Sequence, residues 1–158
     1  MLLQKNYIGL DGQKATELAS SLNELLANYQ VFYMNVRGYH WNIKGEKFFE
    51  LHAKFEELYS DLQIKIDEIA ERILTLGETP RHSFSSYLEQ AEVHTHEEVR
   101  DGRSAVEGIL EAFRILLSLQ RNLLEQSAEA NDEGSNALMS DYIREQEKLV
   151  WMYAAYLG

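Results

Sequence analysis

The sequence predicts an all-α protein, a bundle of four long helices whose long middle connection holds a short helix. Apolar residues recur at steps of three and four along four segments, a spacing that lines one face of an α-helix. The only proline, Pro80, lies between the second and third segments. The 158 residues are 45% hydrophobic and 26% charged, the ordinary composition of one globular domain.

The first two segments have the clearest stripes. The first steps by 4, 3, 4, 3 and 4 residues and ends between Gly38 and Gly45; it contains Leu18, Leu22, Leu25, Tyr29, Phe32 and Val36. The second contains Leu51, Phe55, Leu58, Leu62, Ile66, Ile69, Ile73 and Leu76. Gly77 follows it, with Pro80 three residues on, and a glycine in that position is a common helix terminator.

The third and fourth segments complete the bundle. The third is predicted to begin at Thr95, with Glu98 as the partner in a capping box; its stripe contains Val99, Val106, Leu110, Phe113, Leu117 and Leu124. The fourth begins near Gly134, and its stripe contains Leu138, Tyr142, Leu149, Met152 and Tyr156. Short first and third connections make neighbouring helices antiparallel. The middle connection, 77–94, has room for a short helix around 85–90.

Domain organisation, charge and composition restrict the class of function. We expect residues 1–10 to form an extended peripheral arm and residues 11–158 a single domain. A net charge of −11 opposes binding to nucleic acid and anionic membranes and favours cations. The chain has no cysteine, so any metal must bind nitrogen and oxygen ligands. Neither a signal peptide nor an apolar run of about 20 residues is evident, which predicts a cytoplasmic protein without a membrane segment.

Four potential metal ligands share one edge of the second helix: His52, Glu56, Asp67 and Glu71. At about 100° per residue, the four fall within roughly 100° of one another around the helix axis. Glu56 and Asp67 are eleven residues apart, or about 16 Å along the axis, so one ion cannot contact both. An antiparallel second copy would bring the first pair of one chain to the second pair of the other. The spacing therefore predicts a metal site between subunits.

The acids on this edge have a second explanation, because exposed carboxylates most often form a solvated surface. Such a surface usually mixes acids with lysines four residues away. Here the long cations of the second helix lie on another side of it; they are Lys47, Lys54, Lys65 and Arg72. His40 lies twelve residues before His52, and the turn between them allows it to fold back towards the second helix, although a lone histidine there is more often a packing residue. Trp41 alone is likewise more often a core residue.

Three segments resemble the Dps family, the miniferritins named for DNA binding in starved cells. They are 35–45 (NVRGYHWNIKG), 48–56 (FFELHAKFE) and 67–73 (DEIAERI), and the resemblance extends to 151–153 (WMY). It implies a ferritin-like four-helix bundle, a hollow dodecamer, and a ferroxidase centre that oxidises Fe(II), preferably with hydrogen peroxide rather than O2, and stores Fe(III) mineral. Protection against oxidative stress would follow.

The resemblance also implies a role for each residue of the centre, which would bind two irons between two subunits. His40, His52 and Glu56 would come from one subunit, and Asp67 and Glu71 from its two-fold mate. Glu71 would bridge the irons, with Asp67 and His40 completing the tighter position and His52 and Glu56 the second. Many members have Asp where this chain has Glu56.

Two further features take their roles from the same resemblance. Trp41 would donate an extra electron that limits the escape of radicals. Glu129, Asp132 and Glu133 lie where the family places its three-fold pores, and their carboxylates would attract Fe(II). Acids that favour a helix N-terminus are an equally good explanation of these three.

Other classes of protein would have different sequence features. Classical ferritins build a site inside one bundle from Glu-x-x-His, and no histidine here has a glutamate three residues before it. A DNA-compacting member would have a lysine-rich tail, whereas this N-terminal region has only Lys5 and Lys14 and the C-terminal end has no such tail. A structural or immune-stimulating shell without iron chemistry is the last alternative, and the intact ligand set disfavours it. His82 has no recognisable role, while His94 and His96 could bind metal only weakly.

Overall fold

The computed structural model describes residues 5–158, which form five α-helices. The four long ones are α1 (Gly12–Asn42), α2 (Phe48–Thr75), α4 (Gly102–Glu129) and α5 (Glu133–Leu157), and the short α3 (Phe84–Gln90) lies in the middle connection. The predicted all-α bundle with a short helix in that connection is therefore confirmed. None of the helices in residues 5–158 is both long and apolar enough to cross a membrane.

α1 packs against α2, α3 and α4, and α5 packs chiefly against α4. All six residues of the predicted α1 stripe are buried, and Phe32 meets Phe113 of α4 edge to face with ring centroids 5.1 Å apart. α2 ends where the sequence predicts, because Gly77 adopts φ +96°, a conformation that favours glycine. The amides of Gly77 and Glu78 then bond to the carbonyls of Leu74 and Ile73, which completes a Schellman motif.

The start of α4 differs from the prediction. The helix begins at Gly102, where the Asp101 carboxylate accepts a hydrogen bond from the Ser104 amide at 2.8 Å. The predicted capping box at Thr95 and Glu98 is wrong: Glu98 has φ +63°, which is not helical. Asn35 of α1 binds backbone groups of residues 94 and 96, so the segment before Gly102 is held in a non-helical path.

Two smaller expectations also need correction. Residues 5–10 are not extended: they form a turn closed by a bridge between Lys5 and Asp11, while residues 1–4 lie outside the described part of the chain. On α5, Met152 and Tyr156 of the predicted stripe are exposed, and the helix buries a face that includes Gln146 instead.

Gln146 is buried because it belongs to a closed ring of hydrogen bonds that joins three helices. The Tyr29 hydroxyl donates to Gln120 Oε1 at 2.5 Å, and Gln120 Nε2 donates to Gln146 Oε1 at 2.8 Å. Gln146 Nε2 then donates to the Tyr29 hydroxyl oxygen at 2.7 Å. Burial raises the pKa of Tyr29, so the hydroxyl keeps the proton that it donates. The ring satisfies polar groups that would be costly to bury alone.

We predict that Tyr29→Phe lowers the free energy of unfolding by about 1–3 kcal/mol, because Gln120 loses a donor and Gln146 an acceptor inside the core. Urea denaturation at one fixed protein concentration measures the change. Tyr7→Phe is the control, since the Tyr7 side chain is fully exposed. Equal free energies of unfolding for the two variants would show that the hydrogen bonds of Tyr29 contribute nothing to stability.

Candidate metal centre

Two histidines meet where α1 ends and α2 begins. His40 lies in the last turn of α1 and is buried, while His52 lies near the start of α2 and is half-buried. Their rings stack with centroids 3.8 Å apart and planes 14° from parallel. The helical hairpin thus folds His40 back onto α2, which the length of the turn allows.

Reciprocal hydrogen bonds orient the two rings. His40 Nδ1 donates to the backbone carbonyl of His52, and His52 Nδ1 donates to the carbonyl of His40, both at 2.7 Å. The carbonyl of His40 is available because the last carbonyls of a helix lack partners within it. Since a carbonyl only accepts, each Nδ1 holds a proton and each Nε2 of the neutral ring keeps its lone pair. Metal-binding histidines are commonly oriented in this way.

Glu56 adds a carboxylate to the pair. Its Oε1 lies 4.0 Å from His40 Nε2, and the side chain is 61% exposed. One ion about 2.1 Å from each atom can span that separation. The Tyr59 hydroxyl donates to the same Oε1 at 3.5 Å. His40, His52 and Glu56 are therefore neighbours within one chain. Imidazole and carboxylate are ligand types that suit a divalent transition metal, but the three side chains do not by themselves form a group that could hold an ion.

Asp67 and Glu71 are exposed further along α2, away from the histidines. Eleven residues separate Glu56 from Asp67, about 16 Å along a helix. Within residues 5–158 of a single chain, no three His, Asp or Glu side chains form a group that could hold a metal ion. In one chain, the two halves of the predicted ligand set remain apart.

Two cations of α2, Lys65 and Arg72, form ion pairs away from the helix edge that contains the candidate ligands. Lys65 is 4% exposed, and its ammonium contacts Asp61 at 2.8 Å and Glu145 of α5 at 2.9 Å. Hydrogen bonds to both carboxylates raise the pKa of Lys65 against the lowering effect of its burial. Arg72 pairs with Asp132 at 2.6 Å. The edge that contains His52, Glu56, Asp67 and Glu71 thus keeps its acidic character.

An aromatic shell around the histidines was missed in the sequence. Phe48 stacks on His52 with centroids 5.0 Å apart, and Tyr59 meets His40 edge to face at 5.2 Å. These residues lie four before and seven after His52, so helical spacing places them beside it. They could have been found by extending the search of that edge to non-ligating residues. Trp41 is 58% exposed, and its indole lies 4.9 Å from the Arg37 guanidinium.

The three acids at the junction of α4 and α5 differ from one another. Glu129 and Glu133 are exposed, but Asp132 is only 2% exposed and caps α5 by accepting a hydrogen bond from the Ser135 amide. Its carboxylate also accepts a hydrogen bond from Arg72 at 2.6 Å. In this chain, Asp132 therefore matches the capping explanation, whereas only Glu129 and Glu133 present exposed carboxylates.

Four long helices with imidazole and carboxylate groups along one helix edge define a ferritin-like protein, and the family model of the ferritin-like domain matches residues 19–158. Within that class, the chain belongs to the Dps family, whose members are named DNA protection during starvation proteins.

Three relatives show how closely the chain follows that family. The Dps protein of Vibrio cholerae O1 is 61% identical, with a TM-score of 0.97 over 100% of this chain and 99% of that one; it is described as a member of a broad superfamily of ferritin-like diiron-carboxylate proteins. The DNA protection during starvation protein of Porphyromonas gingivalis is 44% identical over 94% of this chain and 93% of its own. A Dps structure from Bacillus brevis is 32% identical, with a TM-score of 0.89 over 92% of this chain and 98% of that one.

We predict that Asp132→Ala lowers the free energy of unfolding by about 2–4 kcal/mol, because it removes a helix cap and the carboxylate that neutralises Arg72. Glu133→Gln, at the next position and exposed, should stay within about 0.5 kcal/mol of the wild type. Urea denaturation of both variants at equal protein concentration makes the comparison. A similarly small loss in both would remove the structural role assigned to Asp132.

Proposed function

We propose that this chain is an iron-storage and detoxification protein of the cytoplasm. It acts as a ferroxidase that oxidises Fe(II), preferably with hydrogen peroxide, and keeps the Fe(III) mineral inside a hollow homododecamer. The observation that supports this most directly is the His40–His52 pair, in which both Nδ1 atoms bond to carbonyls and both Nε2 atoms keep lone pairs. The diiron-carboxylate description of the Vibrio cholerae relative agrees with iron as the metal.

The active site in this proposal is completed by a second copy of the chain. Packed antiparallel across a two-fold axis, the second α2 brings its own Asp67 and Glu71 to the histidine pair. An exposed apolar surface on α1 and α3 supports a partner chain. A cavity of about 1050 Å³ between α1 and α3, whose lining includes both chain neighbours of His40, is lined in part by four exposed apolar side chains: Met34, Trp41, Phe84 and Leu88. Apolar patches of this kind mark protein interfaces.

The ligand types determine what the site can do. Imidazole and carboxylate suit Fe(II) and leave positions for an oxidant. We assign Glu71 as the bridge between two irons, with Asp67 and His40 at the tighter position and with His52 and Glu56 at the second. Two Fe(II) ions give two electrons to one hydrogen peroxide, which takes up two protons and leaves as two water molecules. No hydroxyl radical forms when both electrons are delivered together.

Iron must reach the site and the interior, and the exposed acids at the junction of α4 and α5 offer a path. We propose that Glu129 and Glu133 form carboxylate rings at the three-fold axes of the shell, where they attract Fe(II). Asp132 supports this region by holding the start of α5 through Arg72. Trp41 is proposed as an electron donor when the site holds too little iron.

We predict that two inactive variants restore each other. His52→Ala and Asp67→Ala should each abolish rapid Fe(II) oxidation by peroxide. When they are dissociated, mixed equally and reassembled, random two-fold pairing should make about a quarter of the sites intact, because each mixed pair has one intact and one doubly damaged site. Stopped-flow absorbance of Fe(III) formation measures the recovery.

The matched control mixes His52→Ala with His40→Ala, whose lost ligands belong to the same half of the site. No mixed pair then contains an intact site, and activity should stay absent. Equal behaviour of the two mixtures, with subunit exchange confirmed by mass spectrometry, would contradict a site shared between chains. Lack of oxidation in the wild type would instead favour a shell without iron chemistry.

We also predict protection without DNA binding at neutral pH, although the relatives are named for DNA protection. Twelve chains of −11 make a particle of about −130, which repels phosphate. A plasmid should migrate unretarded on a gel at pH 7.5 in about 0.15 M salt. Salt-resistant complexes at pH 7.5 would support the DNA-compacting alternative.

A further inference from the structure

His52 is the middle member of a stack of three flat rings. The His40 imidazole lies 3.8 Å away between centroids, with planes 14° apart, and the Phe48 phenyl lies 5.0 Å away, with planes 19° apart. Two rings stacked on one face at these distances would collide, so they cover opposite faces of His52. Phe48 is the first residue of α2 and lies four residues before His52, so one turn of helix places the phenyl beside the imidazole.

The stack restrains a motion of the His52 ring that its hydrogen bond permits. His52 Nδ1 donates to the His40 carbonyl at 2.7 Å, which holds one atom of the ring while the plane can still tilt about it. A tilted plane would collide with one of the two neighbouring rings. Phe48 can resist this tilt because its side chain is partly buried and packs against the hydrophobic core. The plane of His52 is therefore fixed from both sides.

The plane of an imidazole determines where a metal ion can bind to it. The lone pair of Nε2 lies in the ring plane, so a bound ion lies in that plane about 2.1 Å from the nitrogen. The planes of His40 and His52 are nearly parallel and their centroids are 3.8 Å apart, so one ion cannot lie in both planes. Each ring must serve its own ion, and the tilt of His52 sets the place of the second.

We propose that Phe48 is a positioning residue for the second metal position, which His52 and Glu56 hold in the proposed site. The inference rests on the proposed ferroxidase function. Phe48 clamps the His52 ring against His40 and so aims Nε2 before the ion arrives, which avoids the cost of ordering the ring during binding.

The tighter metal position should not depend on Phe48. The His40 side chain is buried, and Tyr59 meets its ring edge to face at 5.2 Å. Its Nδ1 also donates to the His52 carbonyl, which belongs to the main chain and does not move with the His52 ring. Loss of the phenyl should therefore weaken one metal position and spare the other, whereas a general loss of structure would weaken both.

Stepwise binding of Co(II) to the assembled protein, followed by visible absorption, tests the assignment. Phe48→Leu keeps an apolar side chain against the core but removes the flat ring. The first Co(II) of each site should bind as in wild type, and the second should bind about tenfold more weakly. Phe48→Tyr provides a flat ring again and should restore the second affinity. Phe49→Leu is the matched control, since Phe49 is 79% exposed, and should leave both steps unchanged.

The kinetics of Fe(II) oxidation give an independent measure. In Phe48→Leu, the Fe(II) concentration at half the maximal rate should rise about tenfold, because the second ion binds more weakly. The maximal rate at saturating Fe(II) should change little, since the occupied site has the same ligands. Phe48→Tyr should behave as wild type in both respects.

A thermal melt and the mass of the particle show whether each variant folds and assembles. Phe48→Met is a second way to remove the flat ring if Phe48→Leu fails to assemble. An unchanged second affinity in either variant overturns the inference, as does an equal weakening of both steps; the proposed function then stands if wild type binds two Co(II) per site and oxidises Fe(II). Wild type that binds fewer than two Co(II) per site and fails to oxidise Fe(II) overturns both.

Discussion

Two hydrogen bonds between imidazoles and backbone carbonyls hold the junction of α1 and α2, and the geometry of the candidate centre depends on them. His40 and His52 each bind the main chain of the other, so neither ring can turn without breaking a bond to the neighbouring helix. The same bonds consume both Nδ1 protons and leave both Nε2 atoms basic. One local arrangement therefore sets the helix contact, the tautomers and the direction of the lone pairs.

Charge is sorted around α2 by partners on other helices. Lys65 and Arg72 are held on the side of α5 by Glu145 and Asp132. The acids on the opposite edge consequently have no lysine or arginine of their own helix within reach, and they keep their attraction for cations. Arg37 comes from α1 and is screened from the ligands by Tyr59, over whose ring its guanidinium lies. The positively charged Arg37 guanidinium therefore lies near the candidate centre without occupying it.

The long middle connection is ordered by three buried amides of α1. Asn23 binds backbone groups of residues 79 and 81, Asn28 those of residues 92 and 93, and Asn35 those of residues 94 and 96. Main-chain groups that a non-helical segment cannot pair within itself are satisfied in this way. Because α3 lies between these anchors, its exposed Phe84 and Leu88 are held beside Trp41, where we propose that a second copy packs.

The sequence by itself determined the features that depend on local periodicity. The stripes of α1 and α2, the stop at Gly77 and the shared edge of His52, Glu56, Asp67 and Glu71 follow from helical spacing, which neighbouring residues set. Only the tertiary structure decided where α4 begins, because Asn35 holds the preceding segment out of a helix. It also decided that α5 buries Gln146, that Asp132 is a cap, and that Tyr59 and Arg37 border the site. Each of these outcomes depends on a contact with a residue from a distant part of the chain. Local sequence periodicity does not specify such contacts.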